Sequence, residues 1–187
     1  MKLGVLTVLF GNKPFEETLD YVKSLGLEAV EIGSGGYPGN AHCDPVKLLA
    51  RGERAINAFK KSVTSRGLII SALSCHGNPI HPNKAAAKEH HEAFVNTCKL
   101  AGKLGVPRVI TFSGCPGDSE NAKAPNWVTA PWPEDHLQVL EWQWKEKVIP
   151  YWKEAAKYAA AKGVKLAFEM HPGFVVYNTE TLLRLRE

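Results

Sequence analysis

Four times along the chain a glycine separates a polar, helix-like segment from a strand-like apolar run. The joints are Gly26, Gly67, Gly105 and Gly163, in SLGLEAVEIG, SRGLIISALS, KLGVPRVITFS and AKGVKLAFEM. Glycine adopts the left-handed backbone conformation without a Cβ clash, so it readily stops a helix one position past its end. A helix stop followed at once by a strand, repeated four times, dictates alternating helices and strands.

With LGVLTVLF at the amino terminus, five strands are predicted. Amphipathic spacing predicts helices over about residues 14–25, 45–66, 84–104 and 135–162, with another beginning near Asn178. In the third, Phe94, Cys98 and Ala101 share one face while Lys88, Glu89 and Lys99 point elsewhere, as a sheet-covering helix requires. Pro150 falls inside the fourth and is expected to kink or divide it, because proline supplies no N–H to the helix. The strands read as nearly continuous apolar runs, the signature of a parallel sheet covered on both faces. Strict alternation means α/β architecture.

Two such architectures compete. A doubly wound nucleotide-binding sheet needs its glycine fingerprint after the first strand, where FGNKPFEE stands instead. GSGGYPG follows the second strand, but the third glycine it needs falls on Pro38 and no helix start follows. No Walker A sequence is present either. A barrel is favoured because Glu31, His76, Asn78, Ser113 and Glu169 are all expected at or just past the carboxyl ends of strands, where a (β/α)8 barrel gathers its catalytic groups. Open α/β sheets bind ligands at the same edge, so the placement supports a barrel without deciding for it.

The intervals between the four glycines are 41, 38 and 58 residues, and the longest contains GCPGDSENAKAPNWVTAPWPED, Gly114 to Asp135. An aperiodic insertion of this length is either an active-site lid or a surface loop that Trp127 and Trp132 pin down.

Lysine and arginine number 23 against 19 acidic residues, a net charge of +4 without a basic block, so nucleic acid is disfavoured as a partner. No apolar run approaches the roughly 20 residues of a membrane span, and no cleavable leader is recognised, so a cytoplasmic protein is expected. Cys43, Cys75, Cys98 and Cys115 form no CxxC pair, which argues for free thiols in place of a disulfide framework. A soft zinc site shared by Cys43, Cys75 or Cys115 with histidines is a minority alternative, and Cys98 reads as core.

Glu169 is the strongest single feature, because it closes a buried strand, where a rigidly held carboxylate serves as metal ligand or general base. The plain alternative is a carboxylate that merely reaches solvent. His76 ends the third strand and could bind a metal or hold a substrate oxygen. His81, just before a helix start, reads as an ordinary hydrogen-bonded loop residue, and His90 and His91 as helix surface. His171 stands two residues after Glu169, so on an extended chain both side chains point the same way.

At these residues the chain resembles the sugar phosphate isomerase/epimerase family, the xylose isomerase-like TIM barrels related to the endonuclease IV group. The resemblance runs through GLEAVEIG, ALSCHGNPIHP, RVITFSG and VIPYWKEAAKYAAAKGVKLAFEMHPG, in that order. It implies a (β/α)8 barrel and a divalent cation (Mn, Mg, Co or Zn) held by a fifth-strand glutamate together with Asp, His and Glu from later strands. Glu169 matches that glutamate, which in the family's epimerases is also one of two acid/base carboxylates. By position His76 resembles the third-strand histidine that contacts substrate, or a metal in the nuclease branch. Trp132 and His171 would line the sugar site.

An eight-unit barrel takes about 250 residues, so residues 1–187 are expected to be a single partial domain with five to six of the eight units, truncated from a longer enzyme. A homo-oligomer would be one way to cover the strand edges that remain. The expected activity is metal-dependent isomerisation or epimerisation of a sugar, sugar phosphate or related polyol, by proton transfer at carbon next to a carbonyl. The alternatives are an endonuclease IV-like zinc phosphodiesterase and a non-catalytic carbohydrate-binding or inactive barrel fragment.

Overall fold

The computed structural model describes residues 1–187. The first half runs β1 (Gly4–Leu6), a 3-10 turn (Thr7–Phe10), α1 (Phe15–Ser24), β2 (Ala29–Gly36), α2 (Pro45–Ala50), α3 (Gly52–Thr64) and β3 (Ile69–His76). The second half continues with α4 (Lys84–Leu104), β4 (Arg108–Thr111), α5 (Glu134–Trp142), a π-helical segment (Gln143–Val148), α6 (Ile149–Ala160), β5 (Lys165–Phe168) and α7 (Thr179–Arg186).

All five strands are parallel and lie in the order β1-β2-β3-β4-β5. That order decides between the two architectures, because a doubly wound sheet reverses its winding at a switch point and its strand order jumps there. Consecutive parallel neighbours with helical crossovers are the winding of a TIM barrel, and the chain supplies five of its strands.

The four joint glycines have φ of 76° at Gly26, 71° at Gly67, 69° at Gly105 and 72° at Gly163, the left-handed values that the repeat predicts. The expected helix over 45–66 is two helices, with a left-handed Gly52 (φ 76°) opening the second. Pro150 does not break its helix. The six residues Gln143–Val148, immediately before the turn that holds Pro150, adopt the wider π form, and the helical path continues into α6. That wide turn buries both Gln143 and Trp144.

The strands are two-faced. Val30 and Ile32 of β2, Leu73 and Cys75 of β3 and Val109 of β4 are buried on the helix-facing side. They join Phe94, Cys98 and Ala101 of α4 and Trp152 of α6 in one cluster of 25 buried residues. Lys88, Glu89 and Lys99 of α4 are exposed, as their spacing predicts. The pairing register places the alternate residues on the inner face: Glu31, Ala72, Ser74, His76, Ile110 and Ala167. Phe112 and Glu169 follow one position past β4 and β5. No helix is long and apolar enough to cross a membrane.

The four cysteines are unpaired and buried. Burial pushes the Cys75 thiol up to about 11 and those of Cys43, Cys98 and Cys115 up to about 12. A protonated, enclosed thiol is a poor nucleophile, and no cysteine stands in a group of three or more His, Cys, Asp or Glu side chains, so the soft zinc alternative lacks its ligand set. At pH 8 a thiol reagent should leave all four unmodified in the native protein and label all four in urea. Rapid native labelling of any one would contradict the packing described.

Candidate functional site

His76 and Glu169 meet. Nε2 of His76 lies 2.8 Å from Oε2 of Glu169, although the two residues belong to β3 and to the end of β5, with β4 between them. Strands two apart in a flat sheet are about 10 Å apart, so side chains on one face meet only if the sheet curls toward that face. The two side chains differ sharply in exposure, 5% for His76 and 51% for Glu169.

The backbone around His76 is fixed from the β2 side. The amide of Tyr37 donates to the His76 carbonyl at 2.8 Å. Gly36, with φ 67°, approaches so closely that a Cβ there would stand 1.8 Å from the same carbonyl oxygen. On the far side the His76 ring rests on Phe112, centroids 4.4 Å apart.

Phe112 is the hub of an aromatic rim. It stacks on Phe174 at 4.3 Å and also meets His171 at 4.9 Å and Tyr37 at 6.2 Å. Tyr37 in turn packs on His90 at 5.1 Å. Burial raises the Tyr37 phenol and lowers His90, so both are held neutral at the mouth. His90 is therefore not the simple surface residue its place on α4 suggests, whereas His91 is exposed and meets Tyr151 Oη at 3.0 Å.

Three contacts tie together the loops that carry this rim. Asn78 pairs with the backbone of Cys115, donating to its carbonyl at 2.8 Å and accepting from its amide at 3.0 Å. Ser113 Oγ accepts from the Val176 amide at 2.9 Å, and Trp152 Nε1 donates to the Ser113 carbonyl at 2.7 Å. Asn78 and Ser113 are thus scaffold, not reacting groups. His81 accepts from the Asn83 amide at the start of α4, the ordinary role expected of it.

The long loop after β4 is held down. Gln143, from the π segment, donates through Nε2 to the carbonyls of Gly117 and Asn126 at 2.9 and 2.7 Å, and Trp127 packs edge-on against Tyr177 at 5.4 Å. Of the two tryptophans expected to pin the loop, only Trp127 does so. Trp132 stands 81% exposed and makes no aromatic contact with the rim. His171 does join the rim, through Phe112. Its side chain is exposed, with Nδ1 2.6 Å from the Pro172 carbonyl.

Glu31 requires a correction. It is the third residue of the eight-residue β2, not the last, because the strand runs on through GSGG to Gly36. It lies deeper on the inner face than His76, with its carboxylate accepting from Ser74 Oγ.

The fit of a cation can be judged from the donors themselves. His76 Nε2 is buried with no aligned hydrogen-bond partner, because the Glu169 carboxylate approaches it off the ring's N–H direction. Two ligands about 2.1 Å from one octahedral ion and about 90° apart would stand about 3 Å from each other, close to the 2.8 Å of this pair. The pair suits a divalent cation. No group of three or more His, Cys, Asp or Glu side chains converges, so the chain itself brings two such donors together.

The family description "Xylose isomerase-like TIM barrel" matches residues 19–187. The chain belongs to this family. The uncharacterized protein YfiH of Bacillus subtilis (strain 168) is 39% identical to this xylose isomerase-like chain over 189 residues, which cover 100% of the chain and 60% of YfiH. The chain thus spans about three fifths of the curated relative that it matches.

Among solved structures, the probable 3-DHS dehydratase AsbF of Bacillus anthracis superposes with a TM-score of 0.62 at 17% identity, over 99% of this chain and 58% of that one. D-psicose 3-epimerase of Clostridium cellulolyticum H10 does so with 0.56 at 16%, over 91% and 52%. Identities this low speak for the fold alone.

Gly36 and Gly39 offer a matched test of the site's backbone. Both have positive φ, but a Cβ at Gly39 meets nothing within 4 Å. Gly39→Ala should cost about 1–2 kcal/mol, the left-handed penalty alone. Gly36→Ala should cost clearly more in urea unfolding, since it must also displace the His76 carbonyl. Equal losses would show that the close approach does not constrain His76.

Proposed function

We propose that this chain serves a sugar isomerase or epimerase reaction, with Glu169 removing a proton from a carbon next to a carbonyl. The observation that carries the proposal is the contact between Glu169 and the buried, otherwise unpartnered Nε2 of His76 on the inner face of the sheet. Glu169 is half-exposed, so its carboxylate can reach a bound small molecule, while its partner is fixed by Phe112 and the Tyr37 amide.

A divalent cation (Mn, Mg, Co or Zn) would be held by Glu169 and His76, and when bound it supplies Lewis-acid polarisation of substrate oxygens. His76 is accordingly assigned to the cation in preference to the substrate. Phe112 and Phe174 stack into an apolar wall against which the His76 ring rests through Phe112. His171, exposed beside that wall, would hydrogen-bond a carbohydrate hydroxyl. Trp132, exposed and apart from the rim, is given no part.

The similar solved structures include an epimerase and a probable dehydratase. Removal of a proton beside a carbonyl begins either kind of reaction, so the proposal for Glu169 is compatible with both. A nuclease reading draws no support from the loop after β4, where Ser113 serves the backbone.

The test follows carbon-bound hydrogen. Incubated in deuterium oxide with the protein and Mn, Mg, Co or Zn, a ketohexose such as D-fructose should lose the proton signal next to its carbonyl, as read by NMR. Glu169→Gln should slow that loss by about 10²–10⁴-fold, and chelation should stop it in the wild-type protein. Exchange at the wild-type rate in Glu169→Gln would remove Glu169 from its assigned role.

A further inference from the structure

Glu31 is a charged group in a place that stability does not explain. Barrel interiors are filled mainly by branched apolar side chains, yet β2 turns a carboxylate onto the inner face, opposite Ala72 of β3. Its one hydrogen bond within the chain comes from Ser74 Oγ, whose residue is fully buried. It enters no ion pair. Only one carboxylate oxygen, Oε1, is engaged by Ser74, so Oε2 has no donor from the chain. Oε2 is not among the enclosed polar atoms, so it stays open to a small molecule on the inner face.

Its position relates it to the mouth. Ser74 and His76 alternate on the same face of β3, two residues apart, so the Ser74 level lies about 6.6 Å deeper along the strand than the His76 level. Glu169 meets His76 at the upper level. The inner face therefore carries two carboxylates at two depths: an outer one against His76 and an inner one aimed by a buried hydroxyl.

We propose that Glu31 is a substrate-positioning residue, whose free Oε2 accepts a hydrogen bond from a hydroxyl remote from the reacting carbon. The substrate class follows from the spacing. A hydroxylated chain of five or six carbons is about as long as that step in depth of about 6.6 Å, and a three-carbon one is shorter. This rests on the reading of Glu169 given above, with which it shares the site. Ser74 holds Oε1 and so presents Oε2 to the substrate, and a remote hydroxyl bound there fixes which carbon faces Glu169.

The experiment compares binding with turnover. Calorimetric titration of the metal-supplemented protein with D-fructose and with dihydroxyacetone is carried out on wild type, Glu31→Gln and Glu31→Ala, each first shown to be folded by thermal unfolding. Loss of a charge-assisted hydrogen bond predicts D-fructose binding about 10- to 100-fold weaker in Glu31→Ala. Glu31→Gln keeps a neutral acceptor and should weaken it about five- to tenfold, which keeps the test open if the alanine variant fails to fold. Dihydroxyacetone should bind all three alike. Unchanged D-fructose affinity in the variants, equal losses for both ligands, or no D-fructose binding to wild type would each overturn the assignment. If wild type binds D-fructose through Glu31 but exchanges no carbon-bound hydrogen, the proton-transfer reading of Glu169 fails and the positioning role of Glu31 stands.

Discussion

Everything proposed for this chain depends on curvature that brings side chains of β3 and β5 together over β4. His76 and Glu169 are 93 residues apart in sequence, yet their side chains approach to 2.8 Å. In a barrel, alternate strands contribute to the same interior layer, so a contact of this kind belongs to the winding itself. The intervening strand supplies Phe112, on which the His76 ring rests. The buried imidazole is thereby oriented, and the half-exposed carboxylate beside it keeps access to small molecules.

Holding that contact takes more than the sheet. The loops after β3, β4 and β5 are bound to one another by Asn78 to Cys115, by Ser113 to Val176, and from the helical layer by Trp152 to Ser113. Trp152 also packs edge-on against Phe94 of α4 at 5.7 Å and Phe168 of β5 at 4.6 Å, so one side chain links the core to the mouth. The π segment has a comparable effect on the long loop. By widening the helix before Pro150 it buries Gln143, whose amide secures Gly117 and Asn126. Rigid support of this kind is what a preorganised site requires.

Much of this was legible in the sequence, for physical reasons that also mark the limits. The left-handed glycines betray the βα repeat because a helix stop is a local event that one residue controls. Glu169 is visible because a carboxylate ending an apolar strand is locally costly, and His76 because it ends another. Their meeting was not legible, since it depends on curvature and pairing register. Glu31 was misplaced because its strand continues through four residues, GSGG, that carry little strand propensity. The rim of Tyr37, Phe112 and Phe174 had no signature, because all three lie past strand ends, in loops whose course is set by tertiary contacts. His90 reads as helix surface until Tyr37 is seen to cover it. Pro150 warned of a disturbed helix, but the π form depends on which side chains the turn could bury.

The central claim is that His76 and Glu169 act as one cation-binding pair. It is tested most directly by a crystal structure of the manganese-loaded protein, with the ion located from its anomalous scattering. The account predicts an anomalous peak about 2.0–2.2 Å from both His76 Nε2 and a Glu169 carboxylate oxygen. A manganese ion on Glu169 with the His76 imidazole turned away, or bound elsewhere with this contact unchanged, would contradict it.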